Sequence, residues 1–255
     1  MGWAGQALVV ENQTSLREAI QRQGDYVSIV RSVATIDDAV YAVGMKRQVY
    51  KRIGSGRWEA IDRGVVYHGD ETAIGFNAID GFDSDDIYAV GLNGEIWHRR
   101  EDEWREVHSP TNVHLHSTCC APSGQVYVGG RSGVFMRGRD DTWDCFDLDT
   151  EETIWDFCWF KHRLYMIVGK AIYKWTSESI EKIENDVVAN EDFHSFALTS
   201  SELLIFGRKK IIKHDGFLWD ELNYELPDDI GNRDILGFFN DDVLSVGSAY
   251  LEGDE

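Results

Sequence analysis

One phrase in this chain restricts what it can fold into more than any other feature. A short run of β-branched and aromatic residues closing on glycine returns six times. The copies are Val40-Tyr41-Ala42-Val43-Gly44, Ile87-Tyr88-Ala89-Val90-Gly91, Val126-Tyr127-Val128-Gly129, Leu164-Tyr165-Met166-Ile167-Val168-Gly169, Leu203-Leu204-Ile205-Phe206-Gly207 and Val243-Leu244-Ser245-Val246-Gly247. After the first interval they recur about every 39 residues, the size of a unit holding four short strands. Such a unit cannot bury its apolar face alone and must stack on copies of itself.

The other parts of each unit repeat in register. A hydrophobic strand precedes every copy, and an Asp-, Ser- or Asn-rich turn joins the two, as in Asp83-Ser84-Asp85-Asp86 and Asn240-Asp241-Asp242. Such side chains bond nearby backbone and favour turns. A third strand follows within a few residues (Gln48-Val49-Tyr50, Glu95-Ile96-Trp97, Val134-Phe135-Met136, Ala171-Ile172-Tyr173, Ile211-Ile212-Lys213). A fourth is led by Trp58, Trp104, Trp143, Ile180 or Trp219. Period-two alternation with β-branched and aromatic enrichment makes these strands rather than helices. The four tryptophans at equivalent places read as repeated packing residues.

The expected architecture is therefore all-β: a single-domain, six-bladed β-propeller of four-stranded blades, spanning residues 1–255. The blades fall at about 26–62, 76–108, 115–148, 154–184, 193–223 and 233–255. The last is cut short, and Ser15-Leu16-Arg17-Glu18-Ala19-Ile20 matches the fourth-strand phrase Arg57-Trp58-Glu59-Ala60-Ile61. The sequence thus predicts a ring closed by the N-terminal segment 7–20 joining the last blade, which protects open sheet edges. A short helix over 15–21 is the other reading of that segment. The insertion Gly64–Gly75 lengthens the link between the first two units and is either a binding loop or an extended hairpin.

The phrase D-D-I-Y-A-V-G-x-x-G-x-I followed by an acidic residue, one residue and Trp resembles bacterial β-propeller repeats of the D-V-Y-A-V-G-x-x-G-x-I…D-G-x-x-W type. These are distantly similar to BNR/Asp-box and kelch-like propellers. The resemblance is clearest from Ser32 to Asp149, and His214-Asp215-Gly216-Phe217-Leu218-Trp219 is its most Asp-box-like piece. It implies the propeller fold and no particular activity, since propellers host many functions.

Charge narrows the partners. With 45 acidic and 25 basic residues the net charge is −20. A surface of that sign repels nucleic-acid phosphates and anionic membranes and steers a basic protein partner. Solubility alone is the plainer account of the same charge. No apolar run reaches the length of a membrane span, and the first residues lack the basic and apolar regions of a secretory signal. The 4 cysteines, Cys119, Cys120, Cys145 and Cys158, fit no zinc spacing and read as reduced thiols of a cytoplasmic protein.

The candidate site is a ring of residues at the presumed innermost-strand starts: Asn77, His116, Trp155, His194 and Arg233-Asp234, with Ser32 or Arg31 as the counterpart in the first unit. The ring either clasps a ligand or a partner side chain, or merely solvates the channel mouth. No metal site and no cofactor are expected, because two histidines and Asp234 make a thin donor set. The acidic turns lack the glycine and spacing of a calcium loop. The chain has no G-x-S-x-G, H-E-x-x-H or P-loop motif. The leading expectation is a non-enzymatic binder of a specific, basic protein, of the inhibitor or immunity type that neutralises a toxin. A glycan- or small-molecule-active propeller enzyme using the channel mouth, and a scaffold subunit of a larger assembly, are the alternatives.

Overall fold

The computed structural model describes residues 6–11, 14–22, 27–176, 179–189, 191–208, 210–222, 236–240 and 243–247, with backbone alone for 6–17 and 236–247. Its strands are β1 (Gln6–Glu11), β2 (Thr14–Ala19), β3 (Val30–Ile36), β4 (Ala39–Gly44), β5 (Val49–Gly54), β6 (Arg57–Ala60), β7 (Phe76–Asp83), β8 (Asp86–Gly91), β9 (Ile96–Arg100), β10 (Glu103–Val107), β11 (Leu115–Cys120) and β12 (Val126–Gly130). They continue as β13 (Phe135–Arg139), β14 (Thr142–Phe146), β15 (Ile154–Phe160), β16 (Arg163–Val168), β17 (Ala171–Trp175), β18 (Ile180–Lys182), β19 (Phe193–Leu198), β20 (Leu203–Gly207), β21 (Ile211–His214), β22 (Trp219–Leu222), β23 (Leu236–Asn240) and β24 (Val243–Gly247).

Five four-stranded blades each fold from one uninterrupted stretch: β3–β6, β7–β10, β11–β14, β15–β18 and β19–β22. This corrects the expected six-bladed ring to a propeller of five such blades. The remaining strands do not make a sixth repeat from residues 233–255 with one N-terminal strand added. They make a sheet of order β2-β1-β24-β23, two strands from each end of the chain, with Glu11 of β1 opposite Val243 of β24. The apolar run Ala7-Leu8-Val9-Val10 is a strand in its own right, which the match of Ser15–Ile20 to a fourth strand concealed. A two-stranded ribbon is marginal in water, so the pair β23–β24 gains by adding β1 and β2 to its edge.

The chain divides into a larger unit, essentially 18–157, and a smaller one holding 158 onward with β1. In the larger unit neighbouring blades pack through their first strands, β3 on β7 and β7 on β11. Between the first and second blades lie Ile36, Tyr41, Val43, Val49, Phe76, Ile79, Ile87 and Ala89. Between the second and third lie Ala78, Tyr88, Val90, Ile96, Leu115, Val126, Val128 and Met136. Each Val, Leu, Ile, Phe or Met among them contributes roughly 1.5–3 kcal/mol on burial, so stacking of the blades is a large source of the unit's hydrophobic stabilisation.

The fourth-strand tryptophans tie outer edges down. Trp104 Nε1 donates to Ile61 O of the preceding blade at 2.7 Å. Trp58 Nε1 donates to Glu18 at 3.0 Å, and Trp143 Nε1 to Asp140 O at 3.0 Å. In the smaller unit Trp219 stacks on His214 with ring centroids 4.0 Å apart. Glu18, 4% exposed, gathers both nitrogens of the Arg52 fork, Gly56 N and Trp58 Nε1. It fastens the end of β2 to the first blade.

In the first two blades the repeated glycine, and in the third the Gly130 that follows Gly129, has a steric cause. A Cβ on Gly44 would lie 2.0 Å from Ile29 O, one on Gly91 2.0 Å from Gly75 O, and one on Gly130 2.3 Å from His114 O. At each place the residue after the glycine bonds the same carbonyl: Met45 N to Ile29 O, Leu92 N to Gly75 O and Arg131 N to His114 O, at 2.9–3.0 Å. The end of the second strand is thus sewn to the backbone that leads into the first, and only glycine leaves room.

Candidate functional site

The sewing has a consequence for the first strands. Register slips by one residue between Val30 and Ser32, between Phe76 and Ala78, between Leu115 and Ser117, and between Phe193 and Ser195. Each slip is a β-bulge, and the extra residues are Arg31, Asn77, His116 and His194. A bulge re-aims a side chain at a sheet edge. The candidate ring is therefore a repeated bulge position, the second residue of β3, β7, β11 and β19, and Trp155 is likewise the second residue of β15. The counterpart in the first blade is Arg31, since Ser32 is back in register opposite Val43. These residues sit at what we term the leading end, where first strands begin.

The bulged side chains do different things. Asn77 is buried, and its Nδ2 donates to Leu115 O of the next blade at 2.7 Å; its Oδ1 is buried without a partner among the described residues. His116 is half-buried, with its ring 5.2 Å from that of Trp155 and tilted 51°. Its Nε2 is buried and has no hydrogen-bond partner among the described residues. Burial, then Arg131, Arg31 and His114, push its pKa down to about 4, so the ring is neutral near pH 7. His114, just before β11, takes a hydrogen bond on Nδ1 from Asn93 N at 3.0 Å. Its pKa is lowered by burial and then by Arg131 and Arg31. His194 lies half-buried in the smaller unit, in the electrostatic reach of Asp192. Arg233 and Asp234 lie outside the described residues.

The structure thus brings Arg31, Asn77, His116 and Trp155 to the leading end of the larger unit. It places beside them His114, which the sequence reads as sharing a strand face with His116, and it adds Arg131, which the sequence reading passed over. The only signal for Arg131 was its place one residue after the repeated glycine pair. The insertion 64–75 belongs to this end too. Lys46 Nζ donates to Gly69 O at 2.5 Å and Glu71 O at 2.6 Å, Tyr67 N returns a bond to Lys46 O at 2.8 Å, and Lys46 Nζ lies 5.1 Å from the Tyr67 ring centroid. The loop is strapped down over the turn between β4 and β5.

Deeper along the first strands, polar groups staple blade to blade. Asp80 accepts from Cys120 N and Gly81 N at 2.7 and 2.8 Å, and Ser117 Oγ donates to Asp156 at 3.0 Å. Burial raises the pKa of Asp80 to about 7, with Asp156 adding to the rise against those two backbone bonds. A separate cavity of about 580 Å³ opens beside the third blade, lined in part by Thr111, Val134, Met136, Cys145, Phe146 and Glu151. Among the described residues no group of three or more His, Cys, Asp or Glu side chains is placed to hold a metal ion. No helix among them is long and apolar enough to cross a membrane.

Comparison with known proteins defines the fold class first. A solved structure described as YCF48 bound to D1 peptide matches with a TM-score of 0.61 at 16% identity, over 99% of this chain and 91% of that one. A structure of a nidogen/laminin complex matches with a TM-score of 0.65 at 11% identity, over 88% and 94%. At such identities the likeness shows the β-propeller fold alone. No protein-family model matches the chain. In sequence, it is 38% identical over 197 residues to a Pseudomonas aeruginosa protein described as Immune protein Tsi7. That alignment covers 76% of this chain and 64% of the relative, so the chain spans less than two thirds of the relative's length.

Proposed function

We propose that this chain is an immunity protein: a non-enzymatic propeller that binds a specific toxin protein and neutralises it by stoichiometric capture. The observation that carries this reading is the 38% identity over 197 residues to Immune protein Tsi7. The net charge of −20 supports a basic partner, drawn in by long-range attraction. Strapped loops and a half-buried Trp–His pair at the leading end support contact through that end. The finer kinship with D-V-Y-A-V-G-type repeats belongs to the same proposal. So does action in the cytoplasm, which four cysteines outside any disulfide support.

The test begins with capture on the tagged chain from its host's lysate at low and at high salt. The recovered protein is then expressed in a susceptible cell with and without this chain. One dominant basic partner, released by salt, whose expression arrests growth unless the chain is present, is the expected result. A partner that does no harm, or an arrest the chain fails to relieve, rejects the immunity reading.

A further inference from the structure

At the leading end of the third blade, the segment that leaves β14 is fixed against the turn between β12 and β13. Asp147 Oδ1 accepts from Asp149 N at 2.8 Å, and Asp149 holds a positive φ of 51° that Asp tolerates. Thr150 Oγ1 accepts from Glu152 N at 3.1 Å, and Gly133 N donates to Glu152 O at 3.0 Å. Gly133 permits that approach, since a Cβ there would lie 1.9 Å from Thr150 O. This fixed segment walls the cavity of about 580 Å³ beside the third blade, a volume within the roughly 300–1,000 Å³ of ligand pockets. Its floor is apolar. Phe135 stands opposite Phe146 across β13 and β14, with ring centroids 5.3 Å apart, and Val134 and Met136 add to the lining. Its rim is acidic. Asp147, Asp149 and Glu151 line it and are exposed, and among the described residues none of the three enters an ion pair. Arg137 lies 5.1 Å from the Phe146 ring centroid but is paired with Asp144 at 3.2 Å. The blade's own arginine thus meets the floor and leaves the rim carboxylates uncovered.

We propose that this groove receives a lysine or arginine side chain of the partner protein, its aliphatic stem against Val134 and Phe146 and its cationic head among Asp147, Asp149 and Glu151. The proposal rests on the immunity reading and adds the chemistry of what one groove at the leading end accepts. A long cationic side chain is apolar along its stem and charged at its tip, which matches an apolar floor under an acidic rim. An aromatic ring beside the path adds cation–π attraction. The carboxylates do not gather tightly enough to hold a metal ion, whereas an ammonium or guanidinium head suits separated acceptors. Charge also selects the source. A second copy of a chain carrying −20 is repelled at long range, and a basic protein is drawn in.

The experiment uses the purified partner recovered by capture, together with the whole chain. Cys145 lines the groove and is exposed, so its alkylation by iodoacetamide reports occupancy. Saturating partner should slow that alkylation at least about tenfold, because packed contacts exclude solvent. The variant Asp147→Asn/Asp149→Asn/Glu151→Gln keeps a side-chain acceptor at 147 and a residue that tolerates positive φ at 149. It should speed dissociation of the complex about tenfold. Removing the same number of charges elsewhere, by Asp37→Asn/Asp38→Asn/Asp85→Asn, should leave dissociation unchanged. Undiminished alkylation of Cys145 in the complex overturns the proposal, and that comparison needs no variant to fold. Dissociation unchanged in the groove variant, or sped equally by both variants, overturns it as well. Equal protection of Cys145 by 1,4-diaminobutane alone overturns it in favour of a free-amine site. A partner that protects Cys145 but does no harm in cells rejects the immunity reading alone. Full relief of growth arrest with Cys145 still open in the complex rejects the groove alone, and capture of no partner rejects both.

Discussion

At one end of the larger unit the hairpins close on Asp37-Asp38, Asp83-Ser84-Asp85, Glu101-Asp102 and Asp140-Asp141. At the other, the same strands carry Arg31, Lys46, Arg47 and Arg131. The acidic end follows from hairpin geometry. Asp37, Asp38, Glu101 and Asp102 all have positive φ, between 49° and 66°, the conformation a two-residue hairpin turn demands and Asp tolerates. Asp83 Oδ1 caps its own turn by accepting from Asp85 N at 2.8 Å. Arginines then settle on these carboxylates: Arg105 pairs with Asp141 at 2.7 Å, and Arg139 pairs with Asp86. The leading end follows from glycine closure and the bulge. One end is acidic because of how its turns are made; at the other, Lys46, Arg47, Asn93 and Ser132 take the positive-φ positions, with φ between 53° and 61°, beside the glycine closures. A single net charge hides that difference.

The comparison breaks most visibly at the glycines. Gly91→Val forces a side chain onto Gly75 O, and we expect a loss of about 3 kcal/mol or more, or no folded protein, in urea denaturation. Asp38→Asn at the acidic end keeps a residue that accepts positive φ and should stay within about 0.5 kcal/mol of the parent. Similar losses for both would mean the closure is not the structural necessity argued here.

Removal of Glu18 should come next, at about 3 kcal/mol for Glu18→Ala, because the half-buried Arg52 loses its bidentate pair and Gly56 N and Trp58 Nε1 lose their acceptor. The hydrogen bond from Arg52, ahead of the opposing burial, holds the Glu18 carboxyl below its ordinary 4.5. A depressed carboxylate contributes stability above its unfolded pKa and loses it as pH falls through the folded one, so this contribution disappears in acid below about 4.5. Asp80 runs the other way. Raised from 3.8 to about 7, it holds its proton more tightly when folded, so stability declines as pH rises across that interval. Asp80→Asn should flatten the decline between pH 5 and 8, read by denaturant midpoints at both values. An unchanged slope would remove Asp80 from the account.

Charge at the acidic end should act on rate. Asp37→Asn/Asp38→Asn/Asp85→Asn is expected to slow association with the basic partner we propose about tenfold at low salt with little change in dissociation. Stopped-flow mixing measures both, and an effect confined to dissociation would place these turns inside the contact instead. The smallest effect separates thiols by exposure. Cys145 is exposed while Cys119 and Cys158 are buried, and burial leads the upward shift of the Cys120 pKa. Iodoacetamide should add one group to the native chain, at Cys145, as intact-mass measurement would show.

Much of this was legible in the residues. The glycine-ended runs fall on β4, β8, β12, β16, β20 and β24, and four members of the candidate ring's register fell at a constant place because the bulge recurs in β3, β7, β11 and β19. The terminal sheet was misread, since strand content can be counted locally but the pairing of β1 with β24 joins residues far apart in sequence. Arg131 was missed because its place beside His114 rests on a backbone bond, Arg131 N to His114 O at 2.9 Å, that no motif along the chain encodes.

By itself the sequence determined the period, the strand type, the glycine closures and the total charge, because each depends on local alternation, local sterics or simple composition. Tertiary structure alone decided how the chain ends share a sheet and why Asn77 staples two blades while His116 keeps a nitrogen unpaired among the described residues. Those outcomes depend on contacts between blades, where stacking brings together residues that the sequence keeps a full repeat or more apart.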